Sequence, residues 1–329
     1  MLIPSLSSHA TRLAKAYENY PRGRYVHLFL MRTTRSETIF RTEGNGEPLC
    51  RETLSFDGSE QVHIVMTKRK QVAVERRTGR ELLRRHALLF APPKANDKLC
   101  SLNTGAPCER CMDCWLYGYA VGQGGAQRSR VLTEDAFSLL PAEEITDTRT
   151  FNAIYENGTM RNPETGEASQ ALGESEYVRP QSHFADIQVL RDVTEAELVY
   201  VIGNVLRSTR YGAISSRIGR MDNELLAIAF SDQELDSTLS WLTAAQAVLG
   251  AGVRHPLDDT RARGVLVQAL DSVGAHALGR VDWVRGAELE TLIGEVRAAY
   301  ETDLAWLATA TEQYPEPPNK KNSGKKRSS

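Results

Sequence analysis

The chain of 329 residues contains no run of about 18 apolar residues, so the sequence offers no membrane-spanning helix. Its opening stretch, MLIPSLSSHATRLAKAYENY, has no basic segment leading into an apolar one and does not read as a secretory leader. The expected location is therefore the cytoplasm, where clustered thiols act as metal ligands more often than they form disulfides. No G-x-x-x-x-G-K-[ST], G-x-S-x-G or H-E-x-x-H pattern occurs, which removes the sequence basis for a P-loop, a nucleophile elbow or a zincin site. The G-x-G-G within GYAVGQGGAQRSR precedes a strand pattern, not a helix, and is a poor phosphate cradle. The 7 histidines are scattered; His27, in an apolar run, reads as a core group and not as a base. There is no internal repeat, and no constellation calls for hydrolysis or redox chemistry.

Charge of either sign is nearly absent from the total, which is −2. Its distribution is uneven. Gln61 to His86 holds eight Lys/Arg against two Glu, Val201 to Met221 holds four Arg and no acid, and NKKNSGKKRSS at 319–329 holds five positive residues and no acid. Basic stripes within a neutral chain suit a protein that tracks a phosphate backbone on one face. Solvated surface is the alternative.

What is present reads as a mixed α and β chain. RYVHLFLMR (24–32) is a continuous apolar run bounded by arginines, a strand buried on both faces. QVHIVMTKRKQVAVERR reads as two further strands, and Thr78 with Glu81 as the capping box of a following helix. QRSRVLTEDAFSLL alternates like a strand, and residues 157–182 form a long polar loop or hairpin. HFADIQVL, a helix opened by Thr194 and Glu197, and ELLAIAF make a strand–helix–strand unit. Ser231 with Glu234 predicts another capped helix, Asp258 and Asp259 open one more, and AELETLIGEVRAAYETDLAWLA (287–308) predicts one continuous amphipathic helix.

Four of the five cysteines fall within 15 residues: Cys100, Cys108, Cys111 and Cys114, the last three at C-x2-C-x2-C spacing. Four thiolates suit a closed tetrahedral zinc site, structural because no position is left for an activated water. An iron–sulfur cluster is the rival; its ferredoxin run ends in Cys-Pro, whereas Trp115 follows Cys114 here. Unligated thiols, or three cysteines completed by a histidine, are the remaining readings. Cys50 has no predicted role.

Arginines set among small residues recur in MRTTRSE, AQRSRV and RSTRYGAISSRIGR. Guanidinium forks bind phosphate bidentately, and an adjacent tyrosine can stack a base. The resulting candidates for RNA contact are Arg32, Arg35, Arg128, Arg130, Arg207, Arg210, Tyr211, Arg217 and Arg220. A surface salt bridge is the plain reading of each arginine taken singly.

Three stretches, RYVHLFLMRTTRSETIFRTEG, CERCMDCWLYGYAVGQGGAQRSRVLTEDAFSL and FADIQVLRDVTEAELVYVIGNVLRSTRYGAISSRIGRMDNELLAIAFSD, resemble the backbone subunit of the type I-D CRISPR Cascade complex, a Cas-seven group member of the RAMP superfamily. The resemblance implies an α+β fold with an RNA-recognition-like (ferredoxin-like) core at 1–91, 126–150 and 184–231. It implies a cysteine-rich zinc insertion at 92–125, a thumb-like hairpin at 151–183, a helical subdomain at 232–311 and a disordered basic tail at 312–329. It further implies several copies stacked along one CRISPR RNA, which pairs with target DNA, and neighbours that include a large subunit, a guide 5′-end subunit and a processing nuclease. On this reading the chain is not an enzyme. The alternatives are a backbone subunit that also cuts bound single-stranded target, with Asp57 or acids in 156–176 as candidates, and a free-standing zinc-stabilised RNA-binding protein.

Overall fold

The computed structural model describes residues 2–41, 49–93, 98–102, 106–121, 125–152, 154–168, 172–213 and 219–316. After a 3-10 segment at Pro4–Arg12 the chain enters β1 (Tyr25–Thr34), then the hairpin of β2 (Arg51–Phe56) and β3 (Ser59–Met66), and the long α1 (Lys68–Arg85). The cysteine segment carries α2 (Met112–Tyr117), β4 (Tyr119–Val121) and β5 (Gly125–Gln127). Next come β6 (Val131–Thr133), β7 (Ala136–Ser138), α3 (Ala142–Ile145), β8 (Thr146–Asn152), β9 (Leu172–Val178) and β10 (His183–Arg191). The remainder is α4 (Glu195–Arg207), β11 (Arg210–Tyr211), β12 (Gly219–Ser231), α5 (Thr238–Leu249), α6 (Asp259–Ala269), β13 (Asp282–Val284), α7 (Gly286–Glu301) and α8 (Ala305–Thr311).

The main sheet runs β11-β12-β1-β10-β7-β3-β2, with β6 also on β10 and β13 also on β12, and every pairing is antiparallel. β1 lies between β10 and β12, with Phe29 opposite Ile187 on one side and Ala227 on the other. Both neighbours oppose β1, so β10, α4 and β12 form a crossover with β1 between its strands. The apolar run of β1 divides by alternation, as strand geometry requires. Val26, Leu28 and Leu30 face the layer of α1, α4 and α7. Phe29 and Met31 face the layer of α5 and α6. The strand is thus buried on both faces, as its composition predicts.

Several local expectations give way to tertiary context. QVHIVMTKRKQVAVERR is one strand followed by a helix: Gln71, Glu75, Gly79, Leu82 and Leu83 recur at helical spacing and form the buried face of α1. Thr78 therefore lies inside that helix, its hydroxyl donating to the Val74 carbonyl at 3.2 Å. Ser231 ends β12, and the cap of α5 is Ser237, which accepts from the Ser240 amide. The Thr194–Glu197 capping box forms as predicted. The single core strand expected across 126–150 is instead β6 and β7, followed by α3 and the first arm of the hairpin; Glu134 and Asp135 part the two strands by accepting from the Thr238 and Lys68 amides. The helix expected over 287–308 breaks at Thr302, where Leu304 takes φ +60° and stays buried with Leu307. The supposed tail at 312–329 begins as packed chain: Tyr314 is buried, and its hydroxyl donates to Glu197 at 2.6 Å. Residues 317–329 lie outside the described residues.

The polar stretch is a hairpin, β8 on β9, with Thr146 opposite Val178 and Asn152 opposite Leu172. Its arms begin five residues before the predicted start at 151, and described tip residues 154–168 are almost all exposed. Its base is tied to the body by the Thr38–Val178 bridge and by the Arg179 amide donating to the Ile145 carbonyl.

Candidate nucleic-acid interface and metal centre

The cysteine segment lies in the connection from α1 to β6, and all four of its thiols are buried. Their sulfur atoms lie within 4.8 Å of one another, at 3.6 Å for Cys100–Cys114 and 4.0 Å for both Cys100–Cys111 and Cys108–Cys114. A disulfide needs about 2.05 Å. A tetrahedral zinc–thiolate site, with bonds of about 2.3 Å, needs sulfurs about 3.8 Å apart. The donor set therefore fits a four-coordinate ion. The Cys108 amide donates to Cys100 Sγ at 3.3 Å and the Cys111 amide to Cys108 Sγ at 3.2 Å, which favours thiolates. Arg80 Nη1 reaches Cys100 Sγ at 3.5 Å and Asp113 Oδ2 at 2.6 Å, and Arg76 grips the same buried carboxylate through two nitrogens. Two cations of α1 thus fasten the segment to the sheet-covering layer.

The sequence-selected RNA contacts separate into buried and exposed groups. Arg32 is 0% exposed. Its Nε donates to Asp186 at 2.5 Å, Nη2 to Glu75 at 2.7 Å, and Nη1 to Asn223 at 2.7 Å and Tyr211 at 3.1 Å. Lys68 completes the group with its Nζ 2.6 Å from Asp186. Burial opposes the Arg32 charge, but Asp186 and Glu75 outweigh it and hold the guanidinium protonated. Burial likewise opposes charge on Asp186, and Arg32 and Lys68 overcome it, so the carboxyl sits below its usual range. Lys68 moves the other way: burial lowers its pKa more than Asp186 restores. Tyr211 is also 0% exposed, with its hydroxyl 3.2 Å from Glu75. Arg32 and Tyr211 are therefore interior groups and not surface contacts. Arg32 follows Val26, Leu28 and Leu30 on the α1 side of the sheet, which is why it points inward.

Arg130 is a second correction. It is buried, with both terminal nitrogens on the Glu197 carboxylate and one on the Asp192 carbonyl at 3.0 Å, and it lies over the Tyr17 ring. Arg35 is exposed, its fork taken by Asp222 and Asp259 at 2.6 Å each. Arg128, Arg207, Arg210 and Arg220 are exposed. Arg210 stands opposite Arg220 across the β11–β12 pair, which places two guanidinium groups side by side at the sheet edge. Arg217 lies outside the described residues. His27 is a core group as predicted: its Nε2 accepts from the Leu235 amide at 3.0 Å, and burial lowers its pKa to about 4.

Residue-by-residue reading missed a cleft of about 640 Å3 between α1 and the Phe40–Arg41 and Tyr211–Ala213 segments. Arg41, Arg69, Lys70 and Arg77 line it, and no carboxylate does so among the described residues. The signal was the eight-cation stripe of 61–86. Placed on a helix whose inner face is Gln71, Glu75 and Leu82, it turns Arg69, Lys70 and Arg77 outward. Gly212 sits on the opposite wall at φ +89°, and a Cβ there would meet the Ile39 carbonyl oxygen at 2.6 Å, so only glycine allows this approach. A larger groove of about 830 Å3 beside β3 mixes Glu60, Glu143 and Glu144 with Arg51 and Arg254, so it lacks the one-signed lining of the cleft.

Known proteins account for this architecture. The crystal structure of Thermofilum pendens Csc2 superposes with a TM-score of 0.60 at 17% identity, covering 93% of this chain and 94% of that one, which shows a shared fold. A chain of a "CRISPR RNA-guided surveillance complex, pre-nicking" aligns with a TM-score of 0.48 at 9% identity, covering 84% of this chain and 100% of that one. No curated protein matches. Residues 12–309 match the sequence pattern of the family described as Csc2 CRISPR, and the chain belongs to that family.

Proposed function

We propose that this chain is a backbone subunit of a CRISPR effector of the type I-D Cascade kind. It grips the sugar–phosphate chain of a CRISPR RNA, stacks with further copies along it, and leaves the bases free to pair with target DNA. The observation that carries this reading is the cleft lined by Arg41, Arg69, Lys70 and Arg77, with no carboxylate among its described lining residues, beside the Arg210–Arg220 pair. Family membership supports it. Both faces of the sheet are covered by helices, so nucleic acid is held at the sheet's margin and not across its surface. The order β12-β1-β10-β6 with α1 and α4 on one side supports the ferredoxin-like reading of the core.

The projecting β8–β9 hairpin is the thumb of this reading, and the four cysteines hold a structural zinc that shapes the lobe beside α1. Partners are the guide, target DNA through it, other copies, and the large, 5′-end and processing subunits. The role is that of a cytoplasmic scaffold without nuclease activity; intact single-stranded target after incubation of the complex with a divalent metal is the expected outcome, and a ladder of products refutes it.

The decisive experiment compares wild type with Arg69→Ala/Arg77→Ala in binding to single-stranded RNA across a salt series. The double variant should bind more weakly, with its log–log salt slope reduced by about 1.4, two phosphate contacts' worth on a single strand. Unchanged binding and slope refute the cleft. Sedimentation with a long RNA should give multi-copy particles; a monomer that binds without stacking refutes the backbone role.

A further inference from the structure

Arg32 ties together the two walls of the basic cleft from behind. One wall is α1, where Glu75 accepts from Arg32 Nη2 at 2.7 Å. The other includes Tyr211, whose hydroxyl accepts from Nη1 at 3.1 Å. Nε is fixed on Asp186 of β10 at 2.5 Å, and Nη1 also holds Asn223 of β12. Lys68, at the start of α1, reaches the same Asp186 at 2.6 Å. One planar fork therefore addresses four elements in directions that no point charge covers at once. Two cations and two carboxylates balance within this group, and none of its four charged side chains is more than 4% exposed.

We propose that Arg32 is a positioning residue that sets the spacing between α1 and β11, and thereby the affinity of the cleft for a single-stranded polyanion. This rests on the cleft being the RNA site. Arg32 contributes nothing to phosphate neutralisation, because it is sealed from solvent. Its loss alters the fit of the cations and not their number. Affinity and salt dependence therefore separate: a phosphate contact changes both, a positioning residue only the first.

The test uses Arg32→Lys and Tyr211→Phe in the full chain, with a uridine 30-mer as probe. Arg32→Lys keeps the charge that Glu75 and Asp186 require but has no fork. Tyr211→Phe keeps the ring and removes one hydroxyl, so it remains informative even where the lysine variant does not fold. Each is expected to weaken binding, by about tenfold for Arg32→Lys and less for Tyr211→Phe, with the wild-type salt slope retained. The double variant should lose no more than the larger single change, because both act through one bond network; general loosening of the fold would make the losses add. Wild-type affinity in both folded variants overturns the proposal, as does additivity. A reduced salt slope in Arg32→Lys also overturns it, since Arg32 would then reach phosphate. Failure of the underlying cleft is seen separately, as an unchanged slope in Arg69→Ala/Arg77→Ala.

Discussion

α1 serves two buried polar centres from neighbouring positions. Arg76 and Arg80 face the four cysteines; Lys68 and Glu75 face Arg32 and Asp186. The two centres solve burial of charge differently. The Arg32 centre is balanced by the chain itself, two cations against two carboxylates. The cysteine centre sets four cysteines and Asp113 against Arg76 and Arg80; as thiolates the sulfurs would outnumber those cations, which fits a metal cation from outside the chain. One centre is complete on folding, and the other offers a ligand set that an ion would complete.

Removing the ion should therefore produce the largest difference between them. Structural zinc sites hold apparent binding energies of about 10 kcal/mol or more, which is folding energy for the segment that carries them. Cys111→Ser, or exhaustive chelation, should lower metal content from one zinc per chain to none and speed amide exchange in α2, while β1 and β10 stay protected. Elemental analysis with hydrogen exchange reads both, and a wild-type protein that binds no metal breaks the comparison.

The reciprocal change is next in size. Asp186→Ala leaves Arg32 and Lys68 facing one carboxylate in a sealed site, a break of the kind that costs about 3–5 kcal/mol. The urea midpoint should fall accordingly with metal content unchanged; loss of zinc in this variant would show the centres to be one unit.

Acid sharpens the contrast further. The depressed pKa of Asp186 means that its stabilisation is fully present above the unfolded value, about 3.9, and is lost only as pH falls through the lower folded value. A metal held by the four cysteines should be released earlier, because protons compete for thiolates. His27 adds a background slope: with its folded pKa near 4, against 6.5 unfolded, stability falls by about 3 kcal/mol as pH drops across that window. Denaturant midpoints from pH 7 to pH 4 should show this slope together with further shares from His63 and His183, whose pKa values burial also lowers, and His27→Gln should reduce it. A slope unchanged by the substitution assigns it elsewhere.

The smallest effects belong to exposed arginines outside both centres. Arg128→Ala and Arg207→Ala should change stability by less than about 0.5 kcal/mol. Any effect should appear in the salt dependence of RNA binding, by about 0.7 per lost contact.

The contrast also explains what could be read from the chain directly. Cys100 to Cys114 are close in sequence, and their spacing alone announces a ligand set. The central strand, the Thr194–Glu197 cap and the helix at 286–301 declared themselves through local pattern. Arg32 meets Glu75, Asp186, Tyr211 and Asn223 across up to 191 positions, and nothing local marks an arginine as interior. Only its place on the inner alternation of β1 could have done so. The capping boxes imagined at Thr78 and Ser231 failed for a related reason, since burial of a longer helix and a longer strand outweighed them. The cleft was half legible: its cations were counted, but their direction needed the helix.

The β8–β9 hairpin is joined to the body along its arms, by backbone bonds at Thr38 and Ile145 and by the Arg51–Glu176 and Arg149–Glu37 ion pairs, and almost all described residues of its tip face solvent. Residues added to or removed from that tip would disturb no packed neighbour. Folding of the sheet therefore places no limit on the length of the projection, and any such limit comes from what the tip reaches.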